Sequence, residues 1–139
     1  MISRTKLLIA QPDAAKLVSL ILWMEQFTDI EIVGTTRGGE KLVNCISHHQ
    51  PDVVLLDFSL STANAAAAVS RIKGVSSTPA ILVMHESEIA PMESALGKDL
   101  DGYINPKMSL SELTDSVRMA AQRRVEAGAN AYMPAALAG

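Results

Sequence analysis

The chain has 139 residues, of which 48% are hydrophobic and 19% charged, a balance that suits one folded domain and excludes an intrinsically disordered chain. Its net charge of -3 speaks against direct binding to nucleic acid, and its single cysteine, Cys45, rules out an internal disulfide. The apolar run near the N-terminus is too short for a signal peptide and no segment is long enough to span a membrane, so we expect a cytoplasmic protein without a membrane partner.

Five short apolar segments alternate with longer segments of helical pattern. The apolar segments lie at residues 6–10, 31–35, 52–57, 80–84 and 102–104. The third and fourth are almost continuously hydrophobic, which is typical of central strands that are buried on both faces of a sheet. These segments therefore predict five strands.

Hydrophobic residues at helical spacing predict a helix after each strand. The predicted inner faces hold Leu17, Leu20, Ile21 and Met24 in the first helix, Leu42, Val43 and Ile46 in the second, and Val69 and Ile72 in the third. A fourth helix is expected to start near Pro91, and a fifth at the capping box formed by Ser109 and Glu112. Strict alternation of strands and helices predicts a parallel sheet with helices on both faces.

Polar residues follow several of the predicted strands, and this is where an open parallel sheet places its functional sites. Asp57 ends the third strand, Asp13 follows the first, His85 the fourth and Lys107 the fifth. An acid at the end of an apolar strand needs a partner or solvent. Asp57 is therefore either a chemical site or a cap for a loop amide.

Several stretches, of which "PDVVLLD" (51–57) is the most specific, together resemble the response-regulator receiver domain over roughly residues 4–124. "DIEIVG" (29–34) and "DGYI" (101–104) are similar to the NarL/FixJ subgroup. The resemblance implies a flavodoxin-like, doubly wound α/β fold with five parallel strands in the order 2-1-3-4-5. It also implies a receiver domain at residues 1–124, followed at 125–139 by a linker or short helix leading to a LuxR-type DNA-binding domain outside these residues.

The resemblance also assigns roles to individual residues. Asp57 matches the aspartate that accepts a phosphoryl group from a histidine kinase, and Tyr103 matches the aromatic switch position. In the family, two acids after the first strand help to hold Mg²⁺, a hydroxyl ends the fourth strand, and a lysine follows the fifth. Together they place a hard cation and a fixed positive charge around the phosphoryl group.

This chain departs from the family pattern at most of the supporting positions. The acid pair falls on Gln11 and Pro12, or on Pro12 and Asp13 in a shifted alignment. The hydroxyl falls on Met84, or on Val83, and neither side chain donates a hydrogen bond. The lysine falls on Pro106, with Lys107 one place later, so that Lys107 reaches the site only if the turn is rebuilt, for example around a cis Asn105–Pro106 bond.

These departures predict an atypical, non-enzymatic receiver that regulates transcription largely without phosphorylation. We expect weak or absent Mg²⁺ binding through Asp13 and Asp57, a homodimer, and contact with DNA only through a LuxR-type output domain. One alternative is a conventional phosphoacceptor that uses Asp13, Asp57 and Lys107 and is activated by a histidine kinase. Another is a flavodoxin-like small enzyme or cofactor binder, which the lack of a recognisable phosphate-cradling loop disfavours.

Overall fold

The structure is a computed structural model, and it describes residues 4–37, 41–57, 69–74, 79–84, 102–104 and 109–131. Its strands are β1 (Thr5–Ala10), β2 (Ile30–Thr36), β3 (Val53–Asp57), β4 (Ala80–Met84) and β5 (Gly102–Ile104). They form one sheet in the order β2-β1-β3-β4-β5, and every neighbouring pair is parallel. The predicted strands and the predicted doubly wound α/β fold are confirmed.

Three helices have defined ends: α1 (Ala14–Met24), α2 (Leu42–His49) and α3 (Leu110–Ala131). Residues 69–73 are also helical and include Val69 and Ile72, which are both buried as the sequence predicts. The helix expected near Pro91 lies outside the described residues. None of the helices in the described part of the chain is long and apolar enough to cross a lipid bilayer.

Alternate residues of each central strand face opposite sides of the sheet, because side chains along a strand point alternately up and down. Leu7 and Leu55 belong to a core cluster with residues of α1 and α3, whereas Leu8 and Leu56 belong to a second cluster. The second cluster is completed by α2 and by the helical residues 69–73. The sheet is thus buried on both faces, which explains why β3 and β4 are continuously apolar.

The start of α3 is tied to the end of α1 by a pair of linked hydrogen bonds. The indole Nε1–H of Trp23 donates to Thr114 Oγ1 at 2.8 Å, and that hydroxyl donates to the Leu110 carbonyl oxygen at 2.8 Å. Thr114 is 1% exposed, so its hydroxyl is satisfied by these contacts and not by bulk water. The position of α3 on the sheet is therefore set by polar contacts as well as by apolar packing.

An ion pair reinforces this junction one turn further along α3. The guanidinium of Arg118 donates to both carboxylate oxygens of Asp29, at 2.7 and 3.1 Å, and it lies 5.0 Å from the centre of the Phe27 ring. Phe27 in turn makes an edge-to-face contact with Trp23 at a centroid distance of 5.5 Å. The bidentate hydrogen bond holds the pKa of Asp29 below its ordinary value.

Helix α3 begins where the sequence predicts, since the Glu112 N–H donates to Ser109 Oγ at 3.2 Å. Its 22 residues span about 33 Å. The predicted domain boundary at residue 124 falls inside this helix, which continues without interruption to Ala131. The role of residues 125–139 as a linker stays a prediction.

Candidate functional site at the carboxyl edge of the sheet

Asp57 occupies the centre of the carboxyl edge of the sheet. Ala10, the last residue of β1, is paired with Leu56, and Leu56 is paired with Val83, so the carboxyl ends of β1, β3 and β4 lie within one residue of each other. One position further on, Asp57 is paired with Met84. Asp57 therefore lies one residue beyond the end of β1 and level with the end of β4, at the edge where such sheets bind ligands. The side chain of Asp57 is outside the described part of the structure.

On the β1 side of Asp57, the first residue after the strand is a buried glutamine. Gln11 is 1% exposed, and its backbone N–H donates to the Thr36 carbonyl oxygen at 2.9 Å, which continues the ladder towards β2. Its side-chain Oε1 accepts a hydrogen bond from the Asp13 N–H at 2.9 Å. The side chain that follows β1 is thus neutral, and its oxygen helps to hold the turn into α1.

Asp13, the acid proposed from the sequence for metal binding, caps the N-terminus of α1. Its Oδ1 accepts the Lys16 N–H at 3.0 Å, and its side chain is exposed. That hydrogen bond is the main reason why the pKa of Asp13 lies below its ordinary value, and the positive charges of Lys16 and Arg37 act in the same direction. One carboxylate oxygen is therefore engaged by the helix terminus.

These contacts bear on how well Mg²⁺ fits the end of β1. The ion prefers oxygen ligands, usually carboxylates and waters, in near-octahedral geometry. Gln11 has an amide in place of a carboxylate, Pro12 has no polar side-chain atom, and Asp13 serves as a helix cap. The described residues of the turn between β1 and α1 therefore fit Mg²⁺ poorly.

Arg37, which the sequence patterns above do not single out, lies at the same edge. It is the first residue after β2, it is exposed, and its Nε–H donates to the Pro12 carbonyl oxygen at 3.2 Å. This contact brings a fixed positive charge to the turn that carries Asp13. Like the candidate residues named from the sequence, Arg37 follows the carboxyl end of a parallel strand, where open sheets place their functional sites.

On the β4 side of Asp57, Met84 is partly buried and packs against the core cluster of α1 and α3. Val83, the alternative match for the family's hydroxyl, is completely buried in the opposite cluster, which also contains residues of α2 and of the helical segment 69–73. Tyr103 is paired with Val83 in the ladder between β4 and β5, but its side chain is outside the described part. Lys107, His85 and the Asn105–Pro106 bond also lie outside it.

The comparisons with known proteins agree with this architecture. Residues 8–118 match the response regulator receiver domain family. The chain is 33% identical over 95 residues to a protein-glutamate methylesterase/protein-glutamine glutaminase of Haloarcula marismortui, covering 63% of this chain and 26% of that protein. It is 27% identical over 97 residues to the nitrate/nitrite response regulator protein NarL of Escherichia coli K12, covering 67% of this chain and 44% of that protein.

A solved structure shares the fold at lower sequence identity. The signal receiver domain of the putative response regulator NarL from Mycobacterium tuberculosis superposes with a TM-score of 0.77 and 17% identity, covering 86% of this chain and 98% of that one. The present chain spans less than half the length of the two curated relatives described above, so their complete activities do not transfer with the fold. The match over residues 8–118 shows that the chain belongs to the response regulator receiver domain family, whose members serve in two-component signalling.

Proposed function

We propose that this receiver domain controls transcription in a two-component pathway by a route that is largely independent of phosphorylation at Asp57. The observation that carries the proposal is the hydrogen bond from the Asp13 N–H to Gln11 Oε1. It means that a neutral amide stands at the end of β1, beside the strand of Asp57, where the family has carboxylates. Mg²⁺ binding is accordingly weak or absent, and no enzymatic activity is assigned to the chain.

A second feature supports the proposal from the other side of Asp57. A thioether at Met84 accepts hydrogen bonds weakly and donates none, so it does not stabilise the negative charge of a phosphoryl oxygen. A hydrogen bond to a charged group is worth about 1.5–3 kcal/mol. Its loss corresponds to roughly one to two orders of magnitude in rate if the bond acts in the transition state.

The proposed partners follow from the family. Signalling passes through a homodimer, and DNA is contacted only by a LuxR-type output domain outside these 139 residues. We place the protein in the cytoplasm and give it no membrane partner. A histidine kinase is the expected partner in the competing function, in which Asp57 accepts a phosphoryl group with help from Asp13 and Lys107. The position of Asp57 at the end of β3 favours that alternative.

The test is phosphorylation by a small-molecule donor. The protein is incubated with acetyl phosphate and Mg²⁺, and its intact mass is measured over time beside an Asp57→Asn control. We expect at most a trace of phosphate adduct in the unsubstituted protein. A stoichiometric adduct that disappears in the Asp57→Asn variant would establish the conventional phosphoacceptor and refute the proposal.

A further inference from the structure

A positively charged residue stands in the same row as Asp57 at the carboxyl edge of the sheet. The last residue of β1 is paired with the last residue of β2 on one side and with the penultimate residue of β3 on the other. One residue further on, Arg37, Gln11 and Asp57 therefore lie in a row across three neighbouring strands. Such strands lie about 4.8 Å apart, so the backbones of Arg37 and Asp57 are roughly 10 Å apart.

The side chain of Arg37 reaches across the first of these two strand spacings. Its Nε–H donates to the Pro12 carbonyl oxygen at 3.2 Å, so the guanidinium lies against the turn that follows β1. A guanidinium stays protonated in proteins, so this charge is permanent. The structure thus brings a fixed positive charge from the edge strand β2 to the turn beside the strand of Asp57.

The same turn is the place where the family supplies acids that help to hold Mg²⁺. In this chain its polar side chains are already engaged, since Gln11 Oε1 accepts the Asp13 N–H and Asp13 Oδ1 accepts the Lys16 N–H. Like charges repel each other, so a divalent cation is less favoured at a place where a unit positive charge already stands. Arg37 therefore adds an electrostatic obstacle to a set of ligands that fits Mg²⁺ poorly.

We propose that Arg37 is a built-in cation of this edge, which supplies beside Asp57 the positive charge that Mg²⁺ supplies in the family and lowers the affinity of the edge for divalent ions. The inference rests on the proposed function and deepens it, because it names a residue that makes the domain independent of the metal. The positive charge at the edge is then fixed by the sequence and does not follow the concentration of Mg²⁺.

Arg4 offers a matched control at the opposite edge of the sheet. It is exposed, and its Nε–H donates to the Thr28 carbonyl oxygen at 3.0 Å, a contact of the same kind as that of Arg37. Because Arg4 precedes β1, it lies roughly 20 Å from the row of Asp57. Replacement by glutamine removes one unit charge at either position. A difference between the two variants therefore reports where the charge lies and not its mere loss.

The first experiment measures the binding of Mn²⁺, which takes the same oxygen ligands as Mg²⁺ and whose free form is quantified by electron paramagnetic resonance. Arg37→Gln should bind Mn²⁺ about three- to tenfold more tightly than the unsubstituted chain at an ionic strength of about 0.01 M. Arg37→Lys keeps the charge and should bind as weakly as the unsubstituted chain, and so should Arg4→Gln. The gain in Arg37→Gln should fall below about twofold in about 1 M salt, because salt screens the charge.

The second experiment repeats these comparisons in a Gln11→Asp, Pro12→Asp background, whose added carboxylates bring Mn²⁺ affinity into an easily measured range. Arg37→Gln should tighten binding there by a similar factor, and Arg4→Gln should not. Adding Asp57→Asn to this background should weaken Mn²⁺ binding at least about tenfold, which locates the ion at the edge of Asp57.

Three metal-binding results would overturn the inference and leave the proposed function standing. Equal Mn²⁺ affinity of Arg37→Gln and Arg4→Gln in the acid-restored background would mean that the charge of Arg37 does not act on the ion. A gain in Arg37→Lys as large as that in Arg37→Gln would mean that charge is not the cause, and full binding after Asp57→Asn would place the ion elsewhere. A stoichiometric phosphate adduct in the mass measurement would instead refute the proposed function and this inference with it.

Discussion

Asp57 and Met84 are direct partners in the parallel ladder between β3 and β4. Gln11 lies on the other flank of Asp57, one residue beyond the pairing of Ala10 with Leu56. The aspartate that matches the family's phosphoacceptor thus stands between an amide and a thioether. Under the proposed function, this arrangement leads to predictions about how substitutions change the reactivity of Asp57.

Replacing Met84 with threonine should increase the rate of phosphorylation by acetyl phosphate roughly 10- to 100-fold, since one hydrogen bond to a charged oxygen is worth about 1.5–3 kcal/mol. Intact-mass measurement over time gives the rate. Val83→Thr is the matched control, because it adds the same hydroxyl one residue earlier but inside the core cluster that includes α2 and the helical residues 69–73. A larger gain in Val83→Thr than in Met84→Thr would show that the wrong residue has been matched to the family's hydroxyl.

Restoring acids after β1 should strengthen Mg²⁺ binding. In a Gln11→Asp, Pro12→Asp double variant two carboxylates replace an amide and a proline, and Mg²⁺ prefers such ligands. Isothermal titration calorimetry should show at least about tenfold tighter binding than in the unsubstituted chain, a change worth about 1.4 kcal/mol. Adding Asp57→Asn to the variant should weaken the restored binding. Equal Mg²⁺ affinity in the double variant and the unsubstituted chain would contradict our view of this turn.

Removing the Thr114 hydroxyl should destabilise the junction of α1 and α3. Thr114→Val leaves the Trp23 Nε1–H without its acceptor, and we expect a loss of about 1–2 kcal/mol in the free energy of unfolding. Urea unfolding followed by the fluorescence of Trp23, the only tryptophan in the sequence, measures this loss. Ser116→Ala is the control, because Ser116 Oγ donates only to the Glu112 carbonyl oxygen on its own helix. Similar losses in both variants would argue against a special role for the Trp23 contact.

The ion pair of Asp29 with Arg118 should make a small contribution that depends on pH. Because the pKa of Asp29 in the folded chain lies below its ordinary value of 3.8, the stabilisation is present above that pH and is lost as the pH falls through the folded pKa. Both side chains are about 40% exposed, which limits the effect to about 0.5–1 kcal/mol.

Urea unfolding of Asp29→Asn at pH 7 and at pH 3 tests this dependence. The variant should be less stable than the unsubstituted chain at pH 7, and the difference should shrink at pH 3. Asp115→Asn is the control, since Asp115 contacts Arg118 at a longer distance of 3.3 Å and is 69% exposed. An equal loss at both pH values would mean that Asp29 acts through packing or neutral hydrogen bonding, and not through its charge.

The fold could be predicted because its signals are local. Runs such as Val53–Leu56 are apolar at every position, and they lie in the structure as strands buried on both faces. The start of α3 was equally accessible, since Ser109 carries its own capping chemistry. The end of α3 was not predicted, because the glycine and alanines after residue 124 suggested a linker or a short separate helix, whereas α3 itself continues to Ala131.

The site was only partly accessible from the sequence. The predicted order of strands places Asp57 and Met84 near one another. The departures from the family pattern can be read directly from the amino-acid sequence. Which atoms each side chain uses is a matter of three-dimensional geometry. Gln11 and Arg37 illustrate this limit, because their contacts depend on how the turn after β1 closes against the end of β2.

The uninterrupted course of α3 also affects how this chain should be divided for expression. A protein shortened at residue 124, where the sequence predicts the end of the receiver domain, would lose the last seven residues of a helix that ends at Ala131. New terminal carbonyl groups would be exposed in the middle of a regular hydrogen-bonded segment. A cut after residue 131 leaves the helix whole, and any tag or fusion partner joined there would continue in the direction set by the contacts of Thr114 and Arg118.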